Sequence, residues 1–208
     1  LLINEFRSHS VPLNAILSFE IRNEFFFTPQ VEPFNKNEGV ILHPNGKSYD
    51  LSSDFDRNSL IDASFLYWSS TIRNAIQEED PEALVSVGFF APEIIGTPSK
   101  VAISESALDF IDLHLYPSNA KLSEYVQYFD LKENKNKLII MGEFGYVDSE
   151  NNNITQMTND LYEWKNNAIN NYHLDGWLLW TWDTNVGMRL SVADKNNQIF
   201  NQFSPINN

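Results

Sequence analysis

The sequence contains no cysteine among its 208 residues. A disulfide framework and a thiolate metal site are therefore both impossible. Basic residues are also scarce, because 14 Lys and Arg stand against 28 Asp and Glu and give a formal net charge of −14. Such an acidic chain repels nucleic acid and anionic membranes, so we expect neither as a partner, while neutral ligands remain open.

Long apolar runs are missing too, since none approaches the ~20 residues that a membrane span requires. The chain begins at Leu1 without a basic segment or a cleavage pattern, which indicates that a true N-terminus was removed or that the sequence is a fragment. No glycine-rich phosphate loop follows an apolar segment, and no histidine cluster indicates a metal. We therefore expect no cofactor and no metal site.

Apolar residues make up 42 % of the chain and aromatic residues 13 %, which predicts a folded globular protein. Short apolar runs that read as strands alternate with segments of helical periodicity, and residues 25–57 read as a long loop. The predicted strands are 15–21, 84–90, 110–116, 138–144 and 176–182, and the predicted helices cover about 58–76, 122–129 and 155–172, with room for one short helix in the tail.

Apolar strands separated by amphipathic helices predict a parallel sheet covered by helices, and both doubly wound sheets and closed barrels fit that pattern. The polar residues with chemical potential follow the strands, at their carboxyl ends. They are Asn23 and Glu24, His114 and Tyr116, Glu143, and the segment from Trp180 to Asp183. Barrel enzymes keep their active sites at this end of the strands.

Two carboxyl groups at the ends of different strands can converge on one substrate bond. Cleavage of a glycosidic bond needs such a pair: one carboxylic acid protonates the leaving oxygen, and the other carboxylate attacks the anomeric carbon or activates a water. Glu24 and Glu143 are the two candidates for this chemistry.

Four segments carry a family resemblance: FEIRNEF (19–25), DLHLYP (112–117), IIMGEFG (139–145) and GWLLWTWD (176–183). Together they resemble clan A glycoside hydrolases, closest to the cellulase-like enzymes of family 5, over about residues 13–202. The resemblance implies an α/β protein of the (β/α)8 TIM barrel type. Here it would be an incomplete C-terminal portion with about five parallel strands, forming a single partial catalytic domain over 1–208 that lacks the first three strands.

The resemblance also implies roles for individual residues. Glu24 would be the acid/base and Glu143 the nucleophile of a retaining hydrolase, with carboxyl groups about 5–5.5 Å apart. The sugar would be contacted by Asn23, His114, Tyr116, Trp180 and Trp182. We expect an oligosaccharide or polysaccharide substrate of the β-glucan or β-mannan type, a secreted or extracellular protein, and a missing N-terminal half-barrel in the full-length protein.

Other interpretations of the same residues remain open. Glu24 is also compatible with a solvated strand end, His114 with a hydrogen-bonded core histidine, and one of the two tryptophans with packing alone. At the level of function, the alternative is a non-catalytic carbohydrate-binding protein on a degenerate or truncated barrel. A lyase or aldolase is a third option, but it would need a Schiff-base lysine or a metal cluster at a strand end.

Overall fold

The computed structural model describes residues 2–90, 94–117, 121–131, 137–146, 153–181 and 198–204. The chain divides into two compact units, Leu1–Ile111 and Asp112–Asn208. The elements of the first unit are, in order, α1 (Leu2–Ser8), a 3-10 turn (Leu13–Ala15), β1 (Phe19–Glu20), β2 (Val40–Leu42), β3 (Ser48–Asp50), α2 (Asp54–Glu79), β4 (Val85–Ser86), β5 (Gly88–Phe89) and α3 (Lys100–Glu105).

Strand β6 (Phe110–Leu115) begins in the first unit and continues into the second. The second unit then contains α4 (Leu122–Tyr128), β7 (Leu138–Phe144), α5 (Ile154–Tyr172), β8 (Gly176–Leu179) and α6 (Gln198–Phe203). No helix within the described ranges is both long enough and apolar enough to cross a bilayer.

Parallel pairing is present in both units. In the first, β1 pairs with β4, with Phe19 opposite Val85. In the second, β6, β7 and β8 are neighbours in that order, and β7 runs parallel to β8 with Met141 opposite Trp177. The predicted α/β fold with parallel strands is confirmed, and a strand lies in each of the five predicted segments. Closure of these strands into a barrel stays a prediction.

Residues 25–57 are not the featureless loop that the sequence predicted. Strands β2 and β3 form an antiparallel hairpin within them, with Ile41 opposite Tyr49. The connection carries Asn45 and Gly46, and Gly46 has a φ of +83°, a conformation that glycine adopts without a Cβ clash. An Asn-Gly pair between short β-prone runs is a known hairpin signal. Tyr49 is buried together with Leu51 and Leu60, so the hairpin adds its own small core.

Helix α2 is the longest element of the first unit, and its sequence explains both its start and its buried face. Ser53 caps the first turn, because its side chain accepts a hydrogen bond from the Asp56 backbone N–H. Phe65 is fully buried, as the predicted apolar face requires. Its ring contacts Phe25 at 5.2 Å and Phe89 at 5.8 Å between centroids, so the helix packs on the strand ends through aromatic side chains.

The second unit is built around buried strands. All six residues of β6 are buried, as expected for a strand inside a parallel sheet. Phe144 at the end of β7 is fully buried and stacks on Trp164 of α5 at 6.2 Å. Asn153 caps helix α5, because its side chain accepts a hydrogen bond from the Thr155 N–H, and the helix buries Leu161 and Ala168. These contacts fix β7, the strand that carries Glu143.

A partly buried ion pair in the first unit ties α2 to the strand region. Arg73 donates from Nε and Nη2 to the two carboxylate oxygens of Asp109, at 3.1 and 2.7 Å. Asp109 also accepts from the Val85 backbone N–H at 2.9 Å. The hydrogen bond to Asp109 raises the pKa of Arg73 above its usual range. One carboxylate therefore satisfies both a helix side chain and a strand backbone group.

We expect Asp109→Ala to lower the free energy of unfolding by about 2–3 kcal/mol, because it leaves Arg73 and the Val85 N–H without their acceptor. The matched control is Glu79→Ala, which removes the side chain of the exposed pair with Arg7. An exposed pair contributes about 1 kcal/mol or less. Urea unfolding of the two variants measures both values, and equal losses would contradict the role assigned to Asp109.

Candidate functional site

Glu143 lies near the carboxyl end of β7, and two side chains from β6 and its end contact one of its oxygens. The Tyr116 hydroxyl donates a hydrogen bond to Oε2 of Glu143 at 2.6 Å. Nδ1 of His114 lies 3.1 Å from the same oxygen. The distance from Tyr116 is typical of a hydroxyl donating to an ionised carboxylate. Three residues that the sequence analysis named as site candidates therefore form one hydrogen-bonded group in the second unit.

Strand geometry explains why these residues meet. Side chains two apart on a strand point to the same side, so Asp112, His114 and Tyr116 share one face. His114 is 1 % exposed and Tyr116 5 % exposed, so both groups are held by packing and not by solvent. The sheet then places β7 beside β6. Glu143 meets donors whose rotamers are already restricted.

The electrostatic balance at Glu143 favours the ionised carboxylate. Burial raises the pKa of Glu143, but the hydrogen bonds from His114 and Tyr116, together with the charge of His114, outweigh it and bring the pKa below its ordinary value of 4.5. Hydrogen bonds to the charged form stabilise that form. A carboxylate of this kind can act as a nucleophile or as an electrostatic partner for a developing positive charge, and is poorly suited to donate a proton.

The two contacts also distinguish the two oxygens of Glu143. Both converge on Oε2. Among the residues that the structure describes, none donates a hydrogen bond to Oε1. Oε2 is therefore the anchored atom that orients the group, and Oε1 is the atom with lone pairs available for a substrate.

Glu24 lies in the first unit, in the short segment that follows β1. Its φ is +45°, which is uncommon for a residue with a side chain. Backbone hydrogen bonds hold the segment on both sides, because Gly88 donates to the Arg22 carbonyl at 3.1 Å and Phe25 donates to the Gly88 carbonyl at 2.9 Å. The ring of Phe25 is buried and lies 4.8 Å from Trp68. The backbone on both sides of the half-buried Glu24 is thus held by its neighbours.

The other residues predicted to contact a sugar are Asn23, Trp180 and Trp182. Asn23 is exposed, beside Glu24 in the first unit. Trp180 follows β8 and is 38 % exposed. Its backbone N–H donates a hydrogen bond to the Phe144 carbonyl at 2.7 Å, so this part of the backbone is tied to β7, the strand that carries Glu143. Trp182 lies outside the described residues.

The contact between Asp112 and Gly142 was not predicted from the sequence. Asp112 is 5 % exposed, and its carboxylate lies against Gly142, the residue before Glu143. A Cβ at position 142 would overlap that carboxylate. An isolated glycine inside an apolar strand is the signal that such a close approach leaves in a sequence. The pair fixes the spacing of β6 and β7 just before the candidate site.

Comparison with known proteins gives structural similarity alone. No protein-family model matches the chain, and no curated protein sequence matches it. Solved structures that resemble it are glycoside hydrolases. An endo-1,4-β-D-mannanase from Thermotoga petrophila RKU-1 is 20 % identical with a TM-score of 0.48, over 70 % of this chain and 51 % of that one. A β-glucuronidase from Bacteroides uniformis is 11 % identical with a TM-score of 0.46, over 62 % and 17 %.

The chain spans about half the length of the mannanase that it resembles. The TM-scores of 0.48 and 0.46 lie below 0.5, so these similarities by themselves assign neither an activity nor a substrate.

Removing the phenol hydroxyl tests the electrostatics of the site. We expect Tyr116→Phe to raise the pKa of Glu143, because it deletes one of the hydrogen bonds that favour the charged form. The measurement is a pH titration of the Glu143 carboxyl carbon by NMR. Tyr162→Phe is the matched control, since Tyr162 contacts Phe203 and Lys165 instead. An unchanged Glu143 pKa in Tyr116→Phe would show that the hydroxyl does not stabilise the carboxylate.

The lowered pKa of Glu143 also couples stability to pH. The unfolded chain binds this proton more tightly than the folded chain, so the contribution to stability is fully present above the unfolded pKa, near 4.5. It is lost as pH falls through the lower folded value. We expect Glu143→Gln to lose less stability than wild type between pH 7 and pH 3, measured by urea unfolding. Glu163→Gln, at an exposed position on α5, should behave as wild type does. Identical losses in all three proteins would contradict the coupling.

Proposed function

We propose that this chain carries the catalytic glutamates of a retaining glycoside hydrolase that cleaves β-linked glycans, of the glucan or mannan type, by double displacement. Glu143 is the nucleophile: Oε1 attacks the anomeric carbon and the leaving oxygen takes a proton from Glu24. Water then attacks the glycosyl-enzyme, with Glu24 accepting the proton and the bond to Oε1 breaking. Asn23 contacts the sugar, and Trp180 and Trp182 offer rings to its C–H face.

The observation that carries the proposal is the state of Glu143. A nucleophilic carboxylate must be ionised and oriented, and it must keep one oxygen available. The hydrogen bonds to Oε2 from Tyr116 at 2.6 Å and His114 at 3.1 Å meet the first two requirements. The absence of any donor to Oε1 among the described residues meets the third. The unusual φ of Glu24 supports a functional position, since strained residues cluster at active sites.

We propose further that the complete active site needs a half-barrel N-terminal to these strands. A closed (β/α)8 barrel has eight strands, and an open piece leaves unpaired edges. The tests of activity below therefore use the longest natural protein that contains this sequence, with this chain alone in parallel.

Azide distinguishes the roles of the two glutamates. We expect Glu143→Ala to abolish turnover of a β-linked aryl glycoside. Azide should restore it and give the α-glycosyl azide, because azide attacks from the side that the carboxylate has vacated. Glu24→Ala should lose about 10²–10⁴-fold on natural glycans yet spare substrates with good leaving groups. In that variant azide should intercept the glycosyl-enzyme and give the β-glycosyl azide. Product configuration by NMR reads both outcomes.

Glu105→Ala is the control, since Glu105 is an exposed residue at the end of α3. Wild-type rates in both glutamate variants would refute the assignment. Sugar binding without turnover in the wild-type protein would favour the alternative, a carbohydrate-binding protein that does not hydrolyse its ligand.

A further inference from the structure

The first unit contains a groove that resembles a ligand-binding site in size and lining. Hairpin β2–β3 and the first half of α2 enclose an open groove of about 750 Å³. This volume is in the range of small-molecule sites. We propose that the groove binds a neutral oligosaccharide chain, as a site of its own. The choice of glycan probes below rests on the proposed function, whereas the case for a sugar rests on the groove itself.

Two aromatic side chains of α2 border the groove and face solvent. Phe55 is 78 % exposed and Tyr67 is 50 % exposed. Large aromatic side chains usually contribute to a core or to an interface, because burying them is favourable. Their apolar faces match the C–H faces of a sugar ring, while a sugar's hydroxyl groups would remain available to polar neighbours. Two exposed rings on one helix therefore suit an extended, amphipathic ligand.

His43 also lines the groove. It is only 7 % exposed, and its ring is held edge-on against Tyr49 at 6.1 Å and Tyr67 at 5.7 Å. Its Nδ1 accepts a hydrogen bond from the Asn45 backbone N–H at 3.2 Å, so the neutral ring carries its proton on Nε2. Within the described part of the chain, Nε2 has no hydrogen-bond partner. A hydroxyl of a ligand would satisfy this donor.

The charges of the groove favour a neutral ligand. Asp56 accepts from the Asp50 N–H at 2.9 Å, and both oxygens of Asp62 accept from Ser99 at 2.7 Å. These two carboxylates are already committed to protein groups and would repel an anion. Lys47 is the one cationic side chain among the groove's lining residues. A single exposed ammonium does not make a phosphate or carboxylate site, which uses several convergent donors.

The sequence contains four histidines, so NMR signals of their imidazole rings can report on the groove separately from the surroundings of Glu143. His43 reports on the groove, and His114 reports on the surroundings of Glu143. We expect cellohexaose or mannohexaose to shift the imidazole signals of His43 saturably in histidine-labelled Glu143→Gln protein, a background that the proposed mechanism makes unable to cleave the ligand. His9 and His173 serve as internal references, because both are exposed and outside the groove.

The variants test which groups bind. We expect Phe55→Ala to weaken the His43-reported affinity about fivefold or more, and Phe55→Tyr to retain it, since the ring face is what the sugar contacts. Phe55 is exposed, so its truncation should leave the fold intact. Ile95→Ala removes an equally exposed apolar side chain (76 %) outside the groove and should change nothing.

The outcomes separate this inference from the proposed function. A His43 shift without a His114 shift supports the groove while counting against sugar binding near Glu143. A His114 shift alone leaves the proposed function standing and overturns the groove. A His43 response to oligogalacturonate or inorganic phosphate, with none to the neutral hexaoses, would also overturn it, because the ligand would then be an anion.

Discussion

Two contacts on a single oxygen of Glu143 are the constraint on which the candidate chemistry depends. A carboxylate on a strand end has rotational freedom and, when half-buried, a tendency to take up a proton. Tyr116 and His114 restrict the rotation of the carboxylate, because both contact the same oxygen. They also favour its ionised form and so lower the pKa of Glu143. Had they bound different oxygens, the group would be equally ionised but less available for attack. The asymmetry of the contacts is what turns a buried carboxylate into a candidate nucleophile.

That arrangement requires close control of the distance between two strands. Asp112 lies against Gly142, where a side chain would overlap its carboxylate. One residue later along β7 comes Glu143, and two residues later along β6 comes His114. A shift of one residue in the pairing would turn the alternating side chains to the other face. Gly142 therefore permits the close approach of β6 to β7, and this approach brings His114 and Tyr116 within hydrogen-bond distance of Glu143.

The sequence revealed those parts of the fold that rest on local pattern. The helical spacing from Ile61 onward and the apolar run of β7 each predicted an element of the right type. Hairpin β2–β3 was missed because its strands are three residues long and carry little periodicity, although Asn45-Gly46 was a usable signal. The convergence on Oε2 could be expected only through the family resemblance, because a hydrogen bond between residues 27 positions apart leaves no local pattern.

The segment around Glu24 shows how an unusual backbone conformation can be kept despite its local cost. A residue with a side chain at a φ of +45° costs on the order of 1–2 kcal/mol relative to an ordinary conformation. Burial of the Phe25 ring contributes about 1.5–3 kcal/mol, and Gly88 adds backbone hydrogen bonds on both sides of Glu24. The adjacent aromatic thus offsets the strain. Packing of Phe25 therefore supports the backbone conformation of Glu24. Under the proposed function, a backbone held in place before the substrate arrives would lose less entropy on binding.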